Sequence, residues 1–241
     1  MDKLIKTGEK MIRKKVITIG LCFSLIVTTM AMTVTAKDIR STPSSIIMGD
    51  NLKKPNTTHI TDLFEGWNYI SLPFEESITT DDLLVVFKGK VLSWEEALLE
   101  KIICQDPLTI NKVTGAMEMT DFLQPGNGYM IKSQRDHITL LVNQVDLPES
   151  ESMITPLPLA IWQLFGLPFS HEVTIGDLIF VYRGKEYNFK EAVKQGYVYG
   201  VIYNFNRETQ RYEFLMDDDE ILKPGYGYYI QTLQNSLILK I

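Results

Sequence analysis

Two phrases occur twice in this chain, in the same order. Trp67-Asn-Tyr-Ile-Ser-Leu72-Pro73-Phe74 returns as Trp162-Gln-Leu-Phe-Gly-Leu167-Pro168-Phe169, and Pro125-Gly126-Asn127-Gly128-Tyr129 returns as Pro224-Gly225-Tyr226-Gly227-Tyr228. Residues 67–119 align on 162–214 without a gap, at an offset of 95 (162 − 67). The second copy then gains Met216-Asp217-Asp218-Asp219, and the match resumes at an offset of 99 (224 − 125). Two copies of this length are too few and too long for a solenoid, so each is expected to be a compact unit with its own core. The fold class expected is mainly β (α+β): two tandem antiparallel β modules, each with one short helix.

Each copy arbitrates the local structure of the other. The opening strands at Trp67 and Trp162 end at Pro73 and Pro168, which cannot donate to a ladder. Thr79-x-x-Asp82 and Thr174-x-x-Asp177 suit a single capped turn. Lys88-Gly89 and Arg183-Gly184 suit hairpin turns that need positive φ. Ser93-Trp94-Glu95-Glu96 is a capping box, and Asn188 with Glu191 repeats its chemistry with a different cap. Ala97 and Ala192 are expected to face inward, and Gly196 to stop the second helix. Pro-Gly closes each copy with a type II turn, at Gln124–Asn127 and Lys223–Tyr226. Gly128 and Gly227 mark a close neighbour, expected to be the opening-strand tryptophan. Trp67, Trp94 and Trp162 are expected in the core, as is Cys104, which aligns with Tyr199.

This pattern resembles the "GWN…PGxGYW" repeat modules of exported and surface proteins of archaea and bacteria. Gly66-Trp67-Asn68 matches the opening, where the second copy has Ile161-Trp162-Gln163; the closing tryptophan is replaced by Met130 and Tyr229. The resemblance covers about residues 60–241. It implies location and architecture, with no defined activity.

Export is also expected from the N-terminal residues. Lys3, Lys6, Lys10, Arg13, Lys14 and Lys15 precede an uncharged run from Val16 to Ala36, with Val34-Thr35-Ala36 as a small-residue cleavage site. That is the layout of a secretory signal peptide. The alternative is an uncleaved anchor, which would be the only link to a membrane. The domains expected are a signal peptide at 1–36, a spacer at 37–57, module 1 at 58–145, a proline-rich linker at 146–158 and module 2 at 159–241. Past residue 36 the chain holds 18 basic and 28 acidic side chains, a net charge of −10. That balance repels phosphate backbones and argues against nucleic acid. Only Cys104 remains beyond the signal, so the two copies share no disulfide.

Motifs for chemistry are sparse. His59, His137 and His171 have no partners at metal-ligand spacing. No Gly-x-Ser-x-Gly elbow occurs, and Gly126-x-Gly128 opens a strand where a dinucleotide cradle opens a helix. Asp217-Asp218-Asp219-Glu220 could offer oxygen ligands to calcium, but it lacks the alternating spacing that wraps a loop around an ion. Tyr226, Tyr187 and other aromatics leave room for a sugar-binding reading. No catalytic, cofactor or metal residue is assigned and no enzyme is expected. The reading is a non-catalytic exported or cell-surface tandem β module with a structural or protein-binding role, the expected partner being a protein or a cell-surface glycan. A carbohydrate-binding module is the alternative; an enzyme with a site between the modules comes third.

Overall fold

The computed structural model describes residues 57–143 and 152–241. The expected signal peptide, most of the 37–57 spacer, 144–145 at the end of the expected module 1 and 146–151 of the expected linker lie outside the described residues. The described residues form one compact unit.

Ten strands and a helix come from residues 57–143. In order they are β1 (Thr57–Leu63), β2 (Gly66–Ser71), β3 (Ile78–Thr79), β4 (Leu83–Phe87), β5 (Lys90–Ser93), α1 (Trp94–Leu99), β6 (Leu108–Ile110), β7 (Met117–Met119), β8 (Phe122–Leu123), β9 (Gly128–Ser133) and β10 (Ile138–Asn143). Residues 152–241 supply β11 (Ile154–Leu157), β12 (Trp162–Gly166), β13 (Val173–Thr174), β14 (Ile179–Tyr182), β15 (Lys185–Asn188), α2 (Phe189–Lys194), β16 (Val198–Asn206), β17 (Arg211–Leu215), β18 (Ile221–Leu222), β19 (Gly227–Thr232) and β20 (Leu237–Lys240). All strand pairs are antiparallel. Two four-stranded sheets, β1-β10-β4-β5 and β2-β9-β6-β7, and the pair β3-β8 belong to the N-terminal residues; β11-β20-β14-β15, β12-β19-β16-β17 and β13-β18 belong to the C-terminal ones. The described residues are therefore mostly β, with two short α-helices.

Local chemistry explains the turns. Lys88-Gly89 (φ 49° and 77°) and Arg183-Gly184 (φ 51° and 76°) place both central residues at positive φ. That mirror-image turn matches strand twist and closes the hairpins β4-β5 and β14-β15. The Ser93 hydroxyl accepts from Glu96 N (3.2 Å) while the Glu96 carboxylate accepts from Ser93 N (2.8 Å). Asn188 and Glu191 do the same for α2. Gly126 and Gly225 take φ of 74° and 73°, as a type II turn requires.

The apolar residues divide into two buried clusters. One gathers Leu72, Phe74, Trp94, Ala97, Tyr129 and Leu140 among others; the second gathers Leu167, Phe169, Phe189, Ala192, Tyr228 and Leu239.

Several expectations change. Trp94 is buried, but Trp67 and Trp162 are only half-buried. Each stands at the start of its opening strand, where the sheet edge leaves part of a ring in solvent. Lys132 packs its ammonium 5.5 Å from the Trp67 ring centroid. Cys104 is also half-buried, as a free thiol. The close neighbours of Gly128 and Gly227 are not tryptophans. A Cβ on Gly128 would meet the Leu164 side chain at 2.6 Å and Phe165 O at 2.8 Å; one on Gly227 would meet Ile70 O at 2.9 Å. Each glycine makes room for the opposite opening strand. The expected 146–158 linker is not all connecting chain, since β11 pairs with β20 from Ile154 to Leu157.

Candidate functional site

The turn joining β16 to β17 is held by Asn206, whose Oδ1 accepts from Glu208 N (3.1 Å) and Thr209 N (2.9 Å). Arg207, inside this turn, is only 3% exposed. The guanidinium donates through Nε to Tyr69 O (3.2 Å), through Nη2 to Tyr69 O (2.7 Å) and Gly225 O (2.6 Å), and through Nη1 to Asp62 O (3.1 Å) and the Thr61 hydroxyl. Thr61 is available because β1 carries a bulge between His59 and Thr61, which leaves consecutive residues Ile60 and Thr61 both buried. The guanidinium Cζ lies over the Tyr226 ring, 3.7 Å from its centroid. Among the described residues it forms no ion pair. Carbonyl dipoles and a π face carry the compensation, and burial pulls its pKa down to about 10.

Gln210 reinforces the same join. Its Oε1 accepts from Trp67 N (2.7 Å), and its Nε2 donates to Trp67 O (2.9 Å) and Arg207 O (2.6 Å). Gln210 holds φ at +54°, a strained value for a residue with a Cβ. Beside it, the Tyr69 and Tyr212 hydroxyls are 2.6 Å apart, and Tyr69 stacks on Phe205 with ring centroids 4.6 Å apart. Burial raises both phenols, Tyr69 well above the ordinary range, so the pair is neutral and can share one hydrogen bond. Tyr229 donates to the Met130 sulfur at 3.3 Å.

Next to Arg207 opens a cleft of about 500 Å³. His59, Thr61, Asp62, Phe64 and Pro73 line it from one side, and Ser170, Arg207, Glu208, Pro224 and Tyr226 from the other. His59 Nε2 and Asp62 Oδ1 lie 3.3 Å apart at its exposed rim. The rim thus combines carboxylates, an imidazole and aromatic edges, a set suited to polar, hydroxyl-bearing ligands. The Arg207 donors are already engaged with protein oxygens.

Of the residues singled out in the sequence, Tyr226 reaches this cleft, with Arg207 stacked on its ring. Tyr187 does not; it packs edge-on against Tyr197, centroids 5.0 Å apart. In the acidic run, Lys190 Nζ donates to Asp218 Oδ2 at 2.6 Å, and the Glu220 carboxylate accepts from Asp217 N at 2.8 Å and from Met216 N. Backbone carbonyls of Asp218 and Glu220 receive Gly176 N and Ile175 N. The run is a built turn. No group of three or more His, Cys, Asp or Glu side chains among the described residues is placed to hold a metal ion. His137, at φ 56°, and His171, stacked on Phe169, lie outside the cleft lining.

Arg207 and Gln210 were missed in the sequence. The available signal was the alignment: Arg207 falls opposite Lys112, a second cation in the same turn position, and Gln210 falls opposite Gly115. A glutamine where the other copy has a glycine at positive φ marks a side chain retained against backbone strain.

Comparison with protein-family models, with curated proteins and with solved structures finds no match for this chain. Among the described residues no helix is long and apolar enough to cross a membrane.

Proposed function

We propose that this chain is a non-catalytic exported or cell-surface protein, two tandem β modules held as one body, with a structural or protein-binding role. One observation carries the reading. The side chains with the most demanding chemistry, Arg207, Gln210, Tyr69 and Tyr212, bond residues 57–143 to residues 152–241. Groups committed to carbonyls and to each other fix a shape and are unsuited to turnover. Matching cap and turn chemistry at Ser93 and Asn188, and at Gly126 and Gly225, supports the tandem reading. The basic and apolar N-terminal residues support export.

On this reading the partner is a protein. Carbohydrate binding is the second reading, favoured by Tyr226, Glu208 and Asp62 on the cleft. A glycan array, run beside a broad hydrolase screen on the purified protein, tests both. The scaffold reading expects no turnover and no glycan binding. Micromolar glycan binding lost in Glu208→Ala, an exposed rim change that spares the buried join, would install the second reading. Turnover abolished by Glu208→Ala or His59→Ala would overturn both.

A further inference from the structure

The join between the two parts is built from contacts that mirror one another. Ser71 N donates to Gly225 O (3.3 Å), and Gly166 N donates to Gly126 O (3.2 Å). Ile70 bridges to Tyr226, and Asn127 bridges to Phe165. Under the sequence alignment Ser71 corresponds to Gly166, Gly126 to Gly225, Ile70 to Phe165 and Asn127 to Tyr226. Each contact is therefore the image of the other, as across a two-fold axis.

The side chains break that symmetry at three places. On the axis, Ser71 faces its own counterpart: a Cβ on Gly166 would sit 1.9 Å from Ser71 Cβ and 2.6 Å from its Oγ. There is room for one side chain, and Ser71 fills it although its buried hydroxyl finds no hydrogen-bond partner. Off the axis, a Cβ on Gly66 would meet Gln210 Oε1 at 2.3 Å. In the mirrored contact, a Cβ on Gly115 would meet Ile161 Cδ1 at 2.6 Å. Gly66 and Ile161 correspond, as do Gly115 and Gln210. Residues 57–143 thus bring glycine to both off-axis contacts and the only side chain to the axis. Residues 152–241 bring the opposite set.

We infer that this join is a discriminating interface, in which each module's face fits the other module and rejects a copy of itself. Pairing the first face with itself would drive two serines into a space for one and leave glycine against glycine at both outer contacts. Pairing the second face with itself would open the axis and press Ile161 into Gln210 twice. The partner that fits either face is the opposite module, so seam opening does not lead to like-with-like chaining of molecules. The inference rests on the tandem reading above.

The test is a double-mutant cycle in the full chain, read by denaturant unfolding. Gly166→Ser installs the axis composition of a first-face self-pair and lowers the folded-to-unfolded ratio roughly ten- to hundred-fold, the range for overpacking a core. Ser71→Gly alone changes that ratio by less than about three-fold, since the hydroxyl it removes is unsatisfied. Combining them moves the single side chain across the axis and restores the ratio to within about five-fold of the parent, because coupled neighbours do not add. Should Gly166→Ser yield no folded protein, the double variant still decides. A folded double supports the inference, and an unfolded one overturns it. An equal loss from Gly166→Ser in both backgrounds overturns it too, while leaving the tandem reading intact. That reading would fall separately, if an experimental structure showed that residues 57–143 and 152–241 do not superpose.

Discussion

Replacing Arg207 by methionine removes the guanidinium and keeps most of the stem's volume. In the folded chain that guanidinium makes five N–H···O contacts, to Tyr69 O twice, Asp62 O, Gly225 O and the Thr61 hydroxyl. Each hydrogen bond from a charged donor contributes about 1.5–3 kcal/mol, and each acceptor left dry costs about 1–3 kcal/mol. Against this stands the burial of the cation. Burial pulls its pKa well down, to about 10, which corresponds to about 3 kcal/mol of disfavour for the charged form. Removing one member of such a buried set costs about 3–5 kcal/mol in total, because the partners stay buried. The assay is urea unfolding followed by tryptophan fluorescence and far-ultraviolet circular dichroism together. Arg207→Met is expected to lower stability by about 3 kcal/mol. It is also expected to separate the two probes' transitions, since the two apolar clusters lose their strongest tie and cease to unfold as one. Arg207→Lys should fall about midway, as a lysine keeps charge but loses the fork and the Tyr226 stack. A loss below about 1 kcal/mol for Arg207→Met, with coincident transitions, would refute the reasoning by showing that the contacts merely balance desolvation.

Trp94→Ala should cost about 3–5 kcal/mol, whereas half-buried Trp67 and Trp162 should cost only about 1–2 kcal/mol each on the same change, checked by denaturant midpoints. Gln210→Gly relieves the positive-φ strain but severs three hydrogen bonds; a net loss of about 1–2 kcal/mol is expected, and a gain would mean that the side chain is dispensable. Lys112, lowered by burial to about pKa 8, gives a signed pH dependence. Below pH 8 both states hold the proton and the burial penalty is in full force. Between pH 8 and 10.5 the unfolded chain keeps a proton that the folded one has released, so stability rises, by up to about 1.4 kcal/mol per pH unit. Above about pH 10 the buried phenols, Tyr203 among them at about 12, oppose the rise, because unfolded tyrosines ionise first. Thermal melts from pH 7.5 to 9.5 should show the increase in the parent and lack it in Lys112→Met.

Elements governed by neighbouring residues were legible in the sequence. The capping boxes at Ser93 and Asn188, the turns at Lys88-Gly89 and Pro125-Gly126, and the hairpins they close depend on side chains a few positions apart. Copying in a second context exposed them. What resisted was set by contacts far apart in the chain. Gly128 and Gly227 announced a close approach, but the approaching group, the opposite opening strand, lies across the join and has no local signature. Trp67 and Trp162 looked like core residues because they recur, yet recurrence there reflects a shared place at a sheet edge. Arg207 carries no local sign of burial, because Asn206-Arg207-Glu208-Thr209 is polar throughout. Its burial follows from the β1 bulge and the Tyr69 carbonyl, both more than a hundred residues upstream. The stretch before Leu157 read as a linker because it is acidic, serine-bearing and proline-rich; as an edge strand, β11 can accommodate Pro156, which has no N–H to donate.

The placement of β1 has a mechanical consequence. Thr57 pairs with Asn143 at one end of the β1-β10 ladder, and Leu63 pairs with Ile138 at the other. Tension drawing Thr57 away from Asn143 loads the ladder one rung at a time, the weak peeling direction, and does not shear all rungs at once. Thr61 and Asp62 stand on that peeling strand and hold Nη1 of Arg207. A pull on the N-terminal side would therefore lift Ile60 out of the first apolar cluster and then strip the Nη1 acceptors from Arg207, so that the first cluster and the join would loosen in one motion while the second cluster is still closed.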